Sequence, residues 1–229
     1  MGEALTTLAA PGTPKVVLAG GTVINADQGF DPIEVVDLQA LGLDGITEDG
    51  DRLRIGATTT LQAMAYDERV PEALVALALR EAPSTLRTLG TIGGLVAHRD
   101  ADSELLAGLL VYGATVTIID DGGSIDHDLS DVVASGPGSG IIAAVSIETG
   151  GTTASARTGR TPQDRPIVAA VARRAADGSV RLALCGVSST PVLVEDVSSL
   201  DPPGDFRGST QYRRHLASIL AARVTGEIG

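Results

Sequence analysis

The chain has 229 residues, of which 43% are hydrophobic, and it carries a formal net charge of −12. This size and apolar content allow a packed core and exclude a disordered chain. The acidic balance excludes nucleic acid as a partner, because phosphates attract Lys and Arg, and the single cysteine, Cys185, excludes an internal disulfide.

Short strands and helices follow one another along the first half of the chain. Val16, Val17 and Leu18 favour a strand, which Gly20-Gly21 ends in a turn. Apolar spacing, prolines and capping residues indicate the other elements. In chain order we predict a helix over 3–10, strands over 15–19, 34–38 and 52–57 with a hairpin tip at 48–51, and helices over 61–67, 72–81 and 101–110.

The second half is predicted to be richer in strands. We predict strands over 114–119, 141–147, 166–174, 180–187 and 192–194, and a helix over 212–224. The apolar side of this helix carries Leu216, Ile219, Leu220 and Val224. Residues 150–165 are polar and predict a linker or mobile loop, and the glycine-rich residues 136–140, which match no phosphate-binding motif, predict a connecting loop. Strands and helices without a strict βαβ rhythm favour an α+β fold.

Residues that could carry catalysis are scattered. The three histidines have no partner at the spacing of metal ligands, and neither a nucleophile elbow nor an HExxH motif occurs. Asp49, Asp51 and the pair Asp120-Asp121 lie in turns, and Cys185 lies in an apolar strand. We therefore predict no catalytic residue and no metal site in this chain.

No targeting or membrane segment is visible in the sequence. No apolar run approaches the roughly 20 residues that a membrane-spanning helix needs. The N-terminus shows no basic region before an apolar segment, which argues against a signal peptide. We expect a cytoplasmic protein without a membrane span.

Two glycine-rich segments, 19–23 and 91–95, give the strongest functional signal. Each by itself is typical of a tight turn. Backbone N–H groups without a partner can donate to phosphate oxygens, and a diphosphate accepts many such hydrogen bonds. Glycine has no side chain, so the backbone can come close to the phosphate. We therefore predict that both loops converge on one dinucleotide, and that valine at Gly20 or Gly93 fills the phosphate space while the fold stays mostly intact.

Four segments resemble, in this order, the FAD-binding medium subunit of molybdenum hydroxylases such as aerobic carbon monoxide dehydrogenase and bacterial xanthine dehydrogenase. They are VVLAGGT, RLRIGATTT, LRTLGTIGGLVAHRDADSELLAGLL and YRRHLASILAARV. The resemblance implies that both loops bind the FAD pyrophosphate through backbone N–H groups. The implied contacts are Ala19, Gly20, Gly21, Thr22 and Val23 in one loop, and Thr91, Ile92, Gly93, Gly94 and Leu95 in the other. Glu104 stands where the family has an acid near the adenosine half of FAD; otherwise it is a carboxylate in the first turn of a helix.

The resemblance also implies a fold, a role and partners. The fold is α+β, with the two-subdomain FAD-binding fold of the vanillyl-alcohol oxidase type over 1–56 and 57–150, and a C-terminal domain of antiparallel strands and helices over 151–229. The implied role is electron transfer through FAD to an external acceptor. The implied partners are a large subunit that binds molybdopterin and a small iron–sulfur subunit with [2Fe-2S] clusters.

Two alternatives stay open. Val23 and Leu95 are apolar where the family usually has polar residues, and 152–165 lacks the aromatic residue that relatives often place near the flavin. These differences favour a scaffold subunit that keeps the fold but binds FAD weakly or not at all. The second alternative is a stand-alone protein that binds another phosphorylated ligand.

Overall fold

A computed structural model describes residues 1–26, 32–161 and 164–229. The helices are α1 (Gly2–Ala9), α2 (Leu61–Tyr66), α3 (Glu72–Glu81), α4 (Ser84–Arg87), α5 (Ile92–His98), α6 (Glu104–Val111), α7 (Leu129–Ser135) and α8 (Thr210–Glu227). The strands are β1 (Lys15–Leu18), β2 (Glu34–Asp37), β3 (Ile46–Asp49), β4 (Arg52–Gly56), β5 (Thr115–Asp120), β6 (Gly123–Asp128), β7 (Ile141–Glu148), β8 (Thr152–Thr158), β9 (Val168–Arg174), β10 (Val180–Cys185) and β11 (Val192–Leu193). The predicted α+β class is confirmed.

The described strands form three sheets. β1 and β2 pair in parallel, from Lys15 opposite Glu34 to Leu18 opposite Asp37. An antiparallel sheet has the strand order β3-β4-β7-β5-β6, and a second one has the order β11-β10-β9-β8. The predicted hairpin at 48–51 is confirmed, because β3 and β4 pair with Asp49 opposite Arg52.

Helix α6 packs between the four-stranded sheet and α3. All of its residues are buried, and it contacts α3, β9 and β10. Leu105 and Leu109 belong to the same hydrophobic cluster as Ala169 and Cys185 of the four-stranded sheet. The start of α6 meets the end of α3, where the Leu105 N–H donates to Oε2 of Glu81.

Strand β8 contradicts the predicted linker over 150–165. Thr152–Thr158 pairs with β9 along its whole length, at the edge of the four-stranded sheet. Only Ala156 of this strand is buried. An edge strand with one solvated face can have a polar sequence, which is why composition suggested a loop. Residues 162 and 163 of the predicted linker lie outside the described part of the chain.

Helix α8 confirms the prediction over 212–224, with one residue misplaced. Leu216, Leu220 and Val224 are buried, but Ile219 is 50% exposed. Arg213 is 2% exposed and occupies part of the buried face, because its guanidinium donates to the carbonyl oxygens of Ile167 and Gly186 at 2.6 and 2.7 Å. A pattern of apolar residues alone does not show a buried arginine.

Candidate functional site

The loop after β1 presents a run of backbone donors. From Ala19 to Ile24, none of the N–H groups donates to an acceptor within the described residues. The turn closes behind them, where the Asn25 N–H donates to the Gly21 carbonyl at 2.9 Å. Gly21 has φ +69°, a left-handed conformation that glycine adopts without a steric penalty. The loop therefore offers six consecutive donors to a ligand or to water.

The second segment, 91–95, is the start of α5 rather than a free loop. Thr91 is the N-cap, and its Oγ1 accepts a hydrogen bond from the Gly94 N–H at 3.1 Å. The other amides also have protein acceptors: Ile92 donates to the Thr59 carbonyl at 3.1 Å, Gly93 to the Ala57 carbonyl at 2.9 Å, and Leu95 to the Thr91 carbonyl at 2.9 Å. The predicted loop is thus helical, because Thr91 caps it. Its amides are paired, unlike those of the first loop.

The two segments meet through a close backbone contact. An ideal Cβ on Gly20 would lie 1.7 Å from the carbonyl oxygen of Leu89, and one on Gly90 would lie 3.8 Å from Oγ1 of Thr22. The first loop therefore packs on the two residues that lead into Thr91. The predicted convergence of the two segments is present in the fold.

This contact corrects the expected effect of valine at the two glycines. Gly20 faces Leu89, and an ideal Cβ on Gly93 would lie 2.8 Å from both Cβ and the carbonyl oxygen of Ala57. Both glycines permit contacts within the protein. A valine at either position would displace protein atoms, so the prediction that it fills only phosphate space is wrong, and a loss of stability is expected beside the mostly intact fold that the sequence predicted.

Both segments line one cavity of about 520 Å³, which falls in the size range of small-molecule sites. From the predicted site residues the wall includes Ala19, Gly21, Thr22, Val23, Thr91, Gly93, Gly94 and Leu95. Gly20 and Ile92 are not part of the wall. Most of the other lining is aliphatic, including Val17, Leu61 and Ile142. Pro137, Gly138 and Gly140 also line it, so the loop at 136–140 connects two elements and shapes the cavity as well.

Charged side chains lie at one side of this cavity. Glu81, His98 and Arg165 line it. Arg165 Nη1 lies 2.6 Å from Oδ2 of Asp100, and His98 Nε2 lies 3.7 Å from the same oxygen. The positive charge of Arg165 is therefore shared with Asp100 before any ligand binds.

Glu104 lies in a second cavity of about 590 Å³ that shares Glu81, Ala82, Leu86 and Arg165 with the first. It is 5% exposed, and its carboxylate lies 3.2 Å from Arg80 Nη2 and 3.1 Å from Arg157 Nε. Glu104 does not line the first cavity. The residues that the two cavities share therefore lie between Glu104 and the two glycine segments.

Glu81, the last residue of α3, is a site residue that sequence reasoning missed. Its Oε2 accepts hydrogen bonds from Ser103 Oγ at 3.0 Å and from the Leu105 N–H at 3.3 Å. Burial raises the pKa of this carboxyl to about 7, against an ordinary value of 4.5. One signal was present in the sequence: an acid in the last turn of a helix opposes the helix dipole.

The described ranges hold neither a cluster of metal ligands nor a long apolar helix. No three or more His, Cys, Asp or Glu side chains there are grouped so that they could hold a metal ion. No helix in the same ranges is long and apolar enough to cross a membrane.

A family model and a curated relative match most of the chain. The model described as "FAD binding domain in molybdopterin dehydrogenase" matches residues 1–147. A protein of Escherichia coli K12, named uncharacterized protein YgfM, is 31% identical over an alignment of 230 positions that covers 90% of this chain and 85% of the relative.

Several solved structures share the fold over 99% of this chain. Quinoline 2-oxidoreductase from Pseudomonas putida 86 superposes with a TM-score of 0.85 at 22% identity and is covered to 93%. Carbon monoxide dehydrogenase from Hydrogenophaga pseudoflava, in a form that lacks the Mo-pyranopterin moiety, gives 0.89 at 20% identity and 93% coverage. Reconstituted CO dehydrogenase from Oligotropha carboxidovorans gives 0.87 at 23% identity and 94% coverage.

Proposed function

This chain belongs to the family of FAD-binding domains in molybdopterin dehydrogenases, and from that premise we propose that it transfers electrons from iron–sulfur clusters of a partner subunit through FAD to an external acceptor. The resemblance drawn from the sequence is confirmed. FAD as the cofactor and a molybdenum-dependent oxidoreductase as the enzyme class follow from family membership.

The observation that carries the proposal is the run of amides from Ala19 to Ile24 beside the cavity, which donate to no acceptor in the described part of the chain. A diphosphate carries two negative charges and accepts many hydrogen bonds, so a row of backbone donors suits it. The aliphatic wall suits the apolar faces of ring systems. The residues present therefore fit FAD, which supplies the redox chemistry when it is bound.

The two glycine segments have different proposed roles. Amides of Ala19, Gly20, Gly21, Thr22 and Val23 hold the phosphates. In the second segment, the Thr91 hydroxyl accepts from Gly94, so its own hydrogen is free to donate to a phosphate oxygen. Gly93 lets α5 pack on Ala57, and Gly94 leaves room beside Thr91. Ile92 and Leu95 support this helix start, and Leu95 adds an apolar contact.

Glu104 has a proposed place in the same site. The second cavity adjoins the first, so a dinucleotide that extends beyond the first cavity reaches the wall that contains Glu104. We assign the adenosine half to this second cavity. There Glu104 keeps Arg80 and Arg157 in position.

The proposed partners are a large subunit that binds molybdopterin and a small iron–sulfur subunit with [2Fe-2S] clusters. A single cysteine does not suffice to ligate an iron–sulfur cluster within this chain. The division of the chain into 1–56, 57–150 and 151–229 and a cytoplasmic location are part of the same proposal.

A scaffold role is the second candidate, and a specific observation favours it. Val23 and Leu95 both line the cavity with apolar side chains, and the amides of Ile92, Gly93, Gly94 and Leu95 are occupied within the protein. The first loop then has to supply most of the donors for the diphosphate. Such a site binds FAD more weakly than one with two donor loops.

Visible absorption of the purified chain distinguishes the two candidates. The proposed function predicts a yellow protein, or one that gains an oxidised-flavin spectrum after incubation with FAD and gel filtration. A colourless protein that cannot be reconstituted supports the scaffold. Co-purification with molybdenum and iron–sulfur subunits excludes the stand-alone module.

A further inference from the structure

We propose that Glu81 binds FAD in its neutral form and donates a hydrogen bond from its carboxyl group to the cofactor, so that cofactor binding and protonation of this site are coupled. The inference rests on the proposed function and deepens it. Glu81 is thereby a positioning residue of the cofactor site.

Hydrogen bonds determine which oxygen of Glu81 carries the proton. The Ser103 hydroxyl accepts a hydrogen bond from the Leu106 N–H at 3.0 Å, so its own hydrogen is the one donated to Glu81 Oε2. The Leu105 N–H donates to the same oxygen. Both acceptor positions of Oε2 are thus occupied, and a proton on the neutral carboxyl belongs on Oε1.

The other oxygen is available to a ligand. Within the described residues, no hydrogen bond of the protein reaches Oε1, and no Lys, Arg or His nitrogen lies within ion-pair distance of the Glu81 carboxylate. Glu81 lines both cavities, at the wall that they share. Oε1–H is therefore a donor on the surface that the proposed cofactor covers.

Burial controls the protonation of Glu81 more than the surrounding charges do. Burial has the largest effect on its pKa and raises it, while Leu105, Arg165 and Ser103 lower it and Asp100 raises it. The other charged groups of the two cavities are His98 in the first, and Arg80, Arg87, Asp102, Glu104, Arg157 and Asp164 in the second. The two negative charges of an incoming diphosphate disfavour the ionised carboxylate further.

The test is the FAD affinity of the full chain, measured by quenching of flavin fluorescence at about pH 6 and about pH 8. If only the neutral carboxyl binds, wild-type affinity falls about tenfold between these values, because Glu81 ionises above about pH 7. Glu81→Gln keeps a neutral donor, so its affinity stays near the wild-type value at low pH across the range. Glu72→Gln, at the exposed start of the same helix, keeps the wild-type pH dependence.

Each failure has its own signature. An equal wild-type affinity at both pH values, or a pH dependence that persists in Glu81→Gln, overturns the inference and leaves FAD binding intact. Absence of FAD binding at either pH overturns the proposed function together with this inference. If Glu81→Gln does not fold, infrared titration of the wild type decides: a protonated carboxyl band that persists to about pH 7 and strengthens with FAD supports the inference, and its absence contradicts it.

Discussion

The carbonyl oxygen of Leu89 lies against the Cα of Gly20, so closely that an added Cβ would be 1.7 Å from it. This contact joins the loop after β1 to the turn that begins α5. It places the loop from Ala19 to Ile24, whose amides have no acceptor among residues 1–26, 32–161 and 164–229, and the cap residue Thr91 at one cavity. The geometry proposed for the diphosphate is thus built by the main chain before a cofactor binds.

The first prediction concerns the contact itself. Gly20→Ala places a methyl group where the Leu89 carbonyl lies, so one of the two backbones has to move. Overpacking of this kind costs about 1–3 kcal/mol, and we expect that loss in the free energy of unfolding by urea, together with weaker FAD binding. Gly226→Ala is the control, because its Cβ meets nothing within 4 Å and lies in α8. Equal stability of Gly20→Ala and wild type would show that the contact is absent.

The second prediction fills the cavity without disturbing the fold. An added Cβ on Gly94 meets only Thr91 Oγ1, at 3.1 Å, so Gly94→Val projects its methyl groups into the space beside the cap. We expect FAD affinity to fall at least about tenfold, with a smaller loss in Gly94→Ala, measured by fluorescence titration. Gly226→Val controls for valine in a helix at a distance from the cavity. Full FAD affinity in Gly94→Val would place the cofactor elsewhere.

The third prediction is the pH dependence of stability without FAD. The folded pKa of Glu81 is about 7 and its ordinary value is 4.5, so the folded state holds the proton more tightly than the unfolded chain. The contribution of Glu81 to the free energy of unfolding is therefore fully present below about pH 4.5. It is lost as the pH rises through 7, which lowers the free energy of unfolding by roughly 3 kcal/mol. Glu81→Gln removes this decline and is more stable than wild type at about pH 8 by up to that amount. The measurement is urea unfolding at several pH values, with Glu72→Gln as control. The same dependence of the free energy of unfolding on pH in wild type, Glu81→Gln and Glu72→Gln would refute the prediction.

The fourth prediction separates Glu104 from the first cavity. Glu104→Gln removes the anion that Arg80 and Arg157 share, and we expect a loss of roughly 2 kcal/mol in the free energy of unfolding. FAD affinity falls less than in Gly94→Val, because Glu104 does not line the first cavity. Glu227→Gln, whose exposed pair with Arg223 spans one helical turn, is the control and costs less than about 0.5 kcal/mol. A larger loss of FAD affinity in Glu104→Gln than in Gly94→Val would contradict this assignment.

Sequence patterns correctly predicted helices whose ends are set by neighbouring residues, such as prolines and capping threonines. The helix over 72–81 was predicted to the residue, because Pro71 precedes it and Pro83 follows it. The helix over 61–67 was predicted from the threonines before it, and the side chain of Thr60 caps α2 by accepting from the Ala63 N–H at 3.1 Å. Strand β8 was missed because its stability comes from pairing with β9, which lies later in the chain.

Site residues that depend on tertiary contacts were harder to predict. The glycines at 20 and 93 were recognised, but their reason is packing against Leu89 and Ala57, which no local pattern shows. Glu81 gains its role from Ser103 and Leu105 at the start of α6, which are adjacent only in the folded chain. The sequence therefore indicated two segments that line one cavity, while the hydrogen bonding of their amides required the structure.

Hydrogen–deuterium exchange at single-residue resolution, with and without FAD, tests whether the amides of the loop after β1 bind the diphosphate. We expect the amides of Ala19 to Ile24 to exchange fast in the free protein, because they have no acceptor among the described residues, and to slow by at least about tenfold when FAD binds. The amides of Ile92 and Gly93 are already hydrogen-bonded and change little. Unchanged exchange at Ala19 to Ile24 in a sample whose absorption shows bound flavin would show that these amides do not bind the cofactor.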